Sequence, residues 1–165
     1  MASTKLPDPR SQHKAKLLTL IHYVLRRNGV TLGVKGSLSN MLRRSLGAPT
    51  FSAFCHYWHP IFGYLLARYI YLSVRVFLPS APALIARFLF CGAVHDLVTM
   101  LAGGSLAFLF TPWFFFLGIG VLIGRALKIN VSHFPWGVRA VTNVAYIGIC
   151  LGLAIGCKIL LDINV

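Results

Sequence analysis

Long apolar runs separated by short polar breaks constrain this chain more than any other feature of its sequence. The candidate bilayer-crossing runs are residues 60–78, 83–101, 105–127 and 138–161. A helix needs about 20 predominantly apolar residues to cross ~30 Å of hydrocarbon. Only 12% of the residues are charged, whereas a soluble domain carries about 25%. The sequence therefore predicts an all-α fold, a polytopic membrane helix bundle with three or four spans.

The number of spans depends on run 60–78, which carries Arg68 and Arg75. An arginine deep in lipid costs roughly 3 kcal/mol or more, so we favour a re-entrant or interfacial helix here. The three remaining spans then place both basic regions on the cytosolic side, as the positive-inside tendency requires. Four spans would instead leave Lys128 and Arg139 outside.

Residues 1–49 are predicted to form a basic cytosolic arm, and residues 50–165 the membrane helix domain. The net charge is +13, and nine of the 16 lysines and arginines lie in this arm, before the first apolar run. Residues 1–13 are expected to be disordered, and residues 14–28 to form an amphipathic helix in the membrane interface that ends at Gly29. A short helix over 38–46 follows. Anionic lipid headgroups are the expected partner, and no nucleic-acid-binding motif is present.

Other sequence patterns favour packing over chemistry. The four cysteines form no CxxC pair and predict neither a disulfide framework nor a metal site. Glycines repeat every four residues in two runs, which is typical of close helix contact or self-association. These glycines are Gly120 and Gly124, and Gly148, Gly152 and Gly156. The aromatic block 113–116 is expected to face lipid or the interface.

Run 83–101 carries a polar stripe at a spacing of four residues. Arg87, Cys91, His95 and Thr99 share one helix face, which should face protein or a cavity. An ionisable residue at this depth is a functional candidate, and imidazole suits general-base work. A hydrogen-bonded structural histidine is the alternative. Asp96 points about 100° away and is expected to pair with an arginine.

Two segments carry a resemblance to a known family. FSAFCHYWHPIFGYLLARYIYLSV (51–74) contains Trp58-His59 followed at family spacing by an aromatic Tyr-Ile-Tyr, and FLFCGAVHD (88–96) contains a glycine and His95 in register. Together they resemble the C-terminal catalytic portion of the membrane-bound O-acyltransferases. The resemblance implies His95 as catalytic base, His59 as a second functional residue, and an acyl thioester such as acyl-CoA as donor substrate, with no tightly bound cofactor.

Four further residues are assigned to donor binding beside that catalytic pair. They are Trp58, His56, Arg68 and Arg75, the arginines as contacts for an anionic donor such as coenzyme A. The expected protein is an integral membrane enzyme with a cytosolic N-terminus in the inner or plasma membrane, working alone, as a homo-oligomer or with a partner membrane subunit.

Two other functions stay open from the sequence. A non-catalytic membrane subunit could keep the same helices as a scaffold, which is favoured by His56-Tyr57 standing where the family has Arg-Arg. A haem- or metal-binding membrane protein ranks third, because three histidines supply enough imidazoles but no second histidine pair lies on a facing helix.

Overall fold

The computed structural model describes residues 20–31, 33–103 and 108–163, with side chains as far as residue 160. These residues form helices joined by turns, which confirms the all-α prediction. In chain order the helices are α1 (Leu20–Asn28), α2 (Ser37–Leu46), α3 (Phe51–Tyr57), α4 (Pro60–Val74), α5 (Ser80–Gly103), α6 (Phe110–Ala126) and α7 (Trp136–Ile163). The predictions for residues 1–19 lie outside the described ranges.

Local signals fix several helix ends. Gly29 adopts φ +81° and its amide donates to the Leu25 carbonyl, so α1 ends where the sequence predicts. The Thr50 hydroxyl accepts from the Ala53 amide at 3.0 Å and caps α3. Pro60 begins α4 as expected. The predicted break over 79–82 is shorter than expected, because Pro82 lies inside the first turn of α5, where its missing N–H costs nothing.

Within the described ranges two helices are long and apolar enough to cross a membrane, α5 with 24 residues and the Trp136–Leu160 part of α7 with 25. They correspond to the predicted runs 83–101 and 138–161. Only 22% of the α5 span and 17% of the α7 span are buried, unlike the mostly buried core helix of a soluble protein. The other two apolar helices are shorter. At 1.5 Å per residue, α4 reaches about 22 Å and α6 about 25 Å.

Within α4 the stretch Leu66–Tyr71 is π-helical and packs against α5. Such a stretch widens the helix by one residue per turn and often occurs at functional sites. The regular helix ends at Val74, four residues before the predicted end at Leu78, and a turn follows.

The buried core surrounds α3. Phe51 and Phe54 pack with Leu84 of α5 and Leu117 of α6, and the Phe51 ring stacks on Tyr146 of α7 at 4.3 Å. The connection between α2 and α3 is tied to α7 by a second contact. Asn143 donates to the carbonyls of Leu46 at 2.8 Å and Ala48 at 3.0 Å. A short, non-spanning helix therefore occupies the centre of the bundle.

Close helix contact occurs at Gly92, which lies outside the predicted glycine repeats, and at Gly120, which belongs to one of them. At Gly92 a Cβ would lie 2.7 Å from the Thr111 Cα, so α5 and α6 touch backbone to backbone. At Gly120 a Cβ would lie 2.5 Å from the Tyr146 ring, which confirms close packing of α6 on α7. The repeat on α7 behaves differently. A Cβ at Gly148, Gly152 or Gly156 would have no described atom within 4 Å.

Candidate functional site

One cavity of about 320 Å³ opens between α3, α4, α5 and α6. Its wall is mostly aromatic and aliphatic, with a few convergent polar groups, as is usual for ligand sites. The polar or ionisable side chains that line it are Cys55, His59, Arg87, Cys91 and His95. Trp58 lines it too, stacked on the Phe54 ring at 5.5 Å. The structure therefore brings His95 into one site with Trp58 and His59, which are distant from it in sequence.

The tautomer of His95 follows from its own helix. The Nδ1 atom lies 2.8 Å from the Cys91 carbonyl oxygen. A carbonyl can only accept, so Nδ1 carries the hydrogen, and in the neutral ring Nε2 keeps a free lone pair. The ring packs against Phe110 and Phe114 of α6, with centroids 5.5 Å and 5.1 Å away. This geometry holds the imidazole in one orientation as a proton acceptor at the cavity.

His59 joins α3 to α4 in a strained conformation. Its φ of 49° and ψ of 65° place a non-glycine residue in the left-handed region. The residue before a proline normally adopts the extended region, so the following Pro60 makes this conformation more unusual. Such strain concentrates at functional sites. Here it directs the chain so that Trp58 and His59 both reach the cavity wall.

The predicted polar stripe of α5 lines the cavity only in part. Arg87, Cys91 and His95 line the cavity, as the spacing predicts. Thr99 does not, because it is exposed and its hydroxyl donates back to the His95 carbonyl at 3.0 Å. Arg87 was absent from the residues assigned to the site, although its position two turns before His95 was the available signal.

The expected pairing of Asp96 with an arginine is wrong. The Asp96 carboxylate is 7% exposed and accepts from the amides of Leu109 at 3.1 Å, Phe110 at 2.9 Å and Thr111 at 2.8 Å. It also accepts from the Thr111 hydroxyl at 2.6 Å. A side chain of α5 thus caps α6, whose first amides would otherwise be unsatisfied within the bundle.

The three remaining residues assigned to donor binding lie outside the cavity wall. Arg68 is exposed and donates to the Tyr64 hydroxyl at 2.8 Å. Arg75 donates to the Leu78 carbonyl at 3.0 Å, in the turn after α4. His56 lies on α3, and burial together with neighbouring arginines lowers its pKa to about 4. None of the three shares the wall with His95.

Two other cavity features differ from expectation. Trp113 and Phe114 line the cavity and pack on the core, which overturns the lipid-facing prediction for these two members of the block.

Cys55 also faces the cavity, and burial raises the pKa of its thiol to about 12, against the lowering effect of Arg87 and Arg125. The thiol is therefore protonated at neutral pH and is a poor nucleophile.

Metal ligands do not cluster in the part of the chain that the structure describes. No group of three or more His, Cys, Asp or Glu side chains there could hold an ion. Comparisons with family models, with curated proteins and with solved structures gave no match.

Proposed function

We propose that this protein is an integral membrane acyltransferase that moves an acyl group from a thioester donor to a hydroxyl of a lipid or saccharide. The observation that carries the proposal is that His95 and His59 line one largely apolar cavity. The Nδ1 atom of His95 is bonded to the Cys91 carbonyl, so the Nε2 lone pair has no partner among the described residues. The resemblance of segments 51–74 and 88–96 to membrane-bound O-acyltransferases supports the same chemistry. The donor is an acyl-CoA or another acyl thioester.

His95 acts as general base in the proposed reaction. Nε2 takes the proton of the acceptor hydroxyl, and the oxygen attacks the thioester carbonyl. The tetrahedral intermediate collapses by breaking the carbon–sulfur bond, and the imidazolium returns the proton to the leaving thiolate. The products are an ester and a free thiol. His59 and Trp58 position donor or acceptor at the opposite wall, and the apolar lining excludes water from the acyl group.

In the proposed membrane arrangement α5, α6 and α7 cross and α4 does not. The short reach of α4 and the two exposed arginines on it support this arrangement. The N-terminus and the loop after α6 then lie on the cytosolic side of the inner or plasma membrane. Arg26, Arg43 and Arg44 form a basic surface beside Trp136, a combination suited to anionic headgroups at a membrane interface.

The catalytic role of His95 is tested by His95→Ala. Membranes containing the full chain are given a radiolabelled palmitoyl thioester, and transfer to endogenous lipid and saccharide is measured. Removing a general base should lower transfer by about 10²–10⁴-fold. His133→Ala, in the exposed loop before α7, is the matched control and should keep full transfer. Full transfer by a folded His95→Ala protein would overturn the proposal.

A second candidate is a non-catalytic subunit that uses these helices as a scaffold. It is favoured by the intrahelical bond of His95 to Cys91 and by the aromatic rings around the imidazole, since these contacts also suit a structural histidine. The isolated chain would then transfer no acyl group. A larger membrane protein would co-purify with it from native membranes, and His95→Gln would weaken that association.

A further inference from the structure

The Arg87 guanidinium is a cation in the cavity for which the described side chains supply no counter-ion. Among the described residues, no carboxylate lies within ion-pair distance of Arg87, and its guanidinium makes no hydrogen bond there. The chain contains three acids, and the four bonds at the start of α6 already use Asp96. An unpaired charge at this depth is costly, so a bound anion would stabilise the site.

The surroundings of Arg87 reinforce the positive potential. Arg27 and Arg125 act with Arg87 on the His56 ring, each disfavouring its protonation. One guanidinium nitrogen lies 3.8 Å from where a Cβ of Gly63 would be, so the absent side chain leaves room beside the charge. Apart from two histidines and two cysteines, the rest of the wall is apolar or aromatic and includes Leu66 and Leu117. A ligand that matches this site has a charged head and an apolar chain.

From these observations we infer that the cavity binds an anionic amphiphile, an acyl chain that ends in a carboxylate or phosphate, with the anion on Arg87 and the chain beside His95. The volume of about 320 Å³ lies at the lower end for ligand pockets, which suits a small head and part of a chain. A lipid with an anionic head and a free hydroxyl would be an acceptor for the proposed acyltransferase, and the inference rests on that function for its biological role. A plain fatty carboxylate has neither a hydroxyl nor a thioester and would bind without reacting. Binding itself requires no acyl transfer.

The test compares headgroups on one chain. Full-length protein in a neutral detergent is titrated with ω-bromododecanoate, ω-bromododecyl phosphate and ω-bromododecanol, and bromine quenching of Trp58 and Trp113 fluorescence reports occupancy of the cavity. A charge-assisted hydrogen bond should make at least one anionic probe bind about tenfold or more tightly than the alcohol. The carboxylate and phosphate arms distinguish a fatty acid from a phospholipid-type head.

Variants then assign the preference to Arg87. Arg87→Gln should bring the anion and the alcohol to within about twofold, and Arg87→Lys should keep most of the preference. Lys158→Gln removes one positive charge from the far part of α7 and should leave the preference intact. Equal binding of all three probes by the wild-type protein would overturn the inference, and so would an unchanged preference in folded Arg87→Gln. Displacement of the probes by inorganic phosphate alone would overturn the requirement for a chain.

Failure of this inference is separable from failure of the proposed function. His95→Ala removes transfer but leaves Arg87 in place, so the anion preference should persist in that variant. A preference for anions without any acyl transfer by the wild-type protein would sink the acyltransferase and leave the binding site standing. Acyl transfer without a preference for anions would do the reverse.

Discussion

Single residues set the chemistry and a large part of the packing of this protein, and Asp96 shows how. Its carboxylate receives three amides and one hydroxyl at the start of α6. Hydrogen bonds to charged groups contribute about 1.5–3 kcal/mol each in favourable cases, but capping interactions are not additive. Asp96→Ala should therefore lower the free energy of unfolding by about 2–4 kcal/mol, measured by denaturant titration in micelles.

Thr99→Ala is the matched control for this prediction. Among the described residues, the Thr99 hydroxyl bonds only to carbonyls of its own helix, His95 at 3.0 Å and Asp96 at 2.9 Å, and such back-bonding adds little to stability. Its removal should change the free energy of unfolding by less than about 0.5 kcal/mol. Equal losses for the two variants would show that the cap on α6 has no special weight.

His56 gives the fold a pH dependence of defined sign. Burial, together with Arg27, Arg87 and Arg125, lowers its pKa from 6.5 to about 4. The folded protein therefore binds fewer protons than the unfolded chain between these values. Stability should be full above pH 6.5 and should fall toward pH 4, with a slope of at most about 1.4 kcal/mol per pH unit. Unfolding titrations at pH 8, 6 and 4.5 measure it.

The variant His56→Gln isolates that contribution. Its free energy of unfolding should fall less between pH 8 and pH 4.5 than that of the wild-type protein. The unfolded variant has no imidazole at position 56 that could gain a proton. Wild-type and variant curves that run parallel over this window would rule out His56 as the source of the pH dependence.

The residues of the site were predictable to different degrees. Trp58, His59 and His95 could be singled out because an imidazole in an apolar run is rare and the flanking pattern is distinctive. Arg68 and Arg75 could not be placed by spacing, because the π-helical stretch of α4 shifts the face on which they lie. Asp96 was assigned to the wrong partner, since a cap supplied by one helix to another is a tertiary contact that no local sequence pattern encodes.

Helices α5 and α6 meet at a position where only glycine fits. A Cβ at Gly92 would lie 2.7 Å from the Thr111 Cα and 2.8 Å from the Phe110 carbonyl oxygen. Both are backbone atoms, so no side-chain rotation can relieve the contact. Gly92→Ala should force the helices apart, displace Phe110 from His95, and cost about 1–3 kcal/mol of stability. Thermal unfolding and the yield of folded protein in micelles measure the loss.

The α7 glycines supply the comparison. An added methyl at Gly148 has no described neighbour within 4 Å, and alanine is the better helix former by up to about 1 kcal/mol. Gly148→Ala should therefore leave stability unchanged or raise it slightly. A larger loss for Gly148→Ala than for Gly92→Ala would contradict the packing of α5 on α6.

At the scale of the whole molecule, hydropathy predicts where the helices lie in the sequence better than it predicts which of them are long enough to cross the membrane. The runs that become α5 and α7 are recognisable from length and composition. The runs that become α4 and α6 look equally long in sequence. In the structure, however, α4 ends at Val74 and α6 begins only at Phe110. The central place of α3 was not predictable, because seven residues with three aromatic side chains and one histidine carry no bilayer-length signal.

The arrangement of the spans predicts which loops share a side of the membrane. If α5, α6 and α7 cross and α4 does not, single cysteines at Lys35 and Ser132 lie on the cytosolic side, and a cysteine at Gly103 lies on the other. In a background with the native cysteines replaced by alanine, a membrane-impermeant maleimide added to intact cells should label Gly103→Cys alone. Lysis should expose Lys35→Cys and Ser132→Cys. Labelling of Ser132→Cys in intact cells, with Lys35→Cys protected, would mean that α4 also crosses and that the cavity beside His95 is enclosed by four spans.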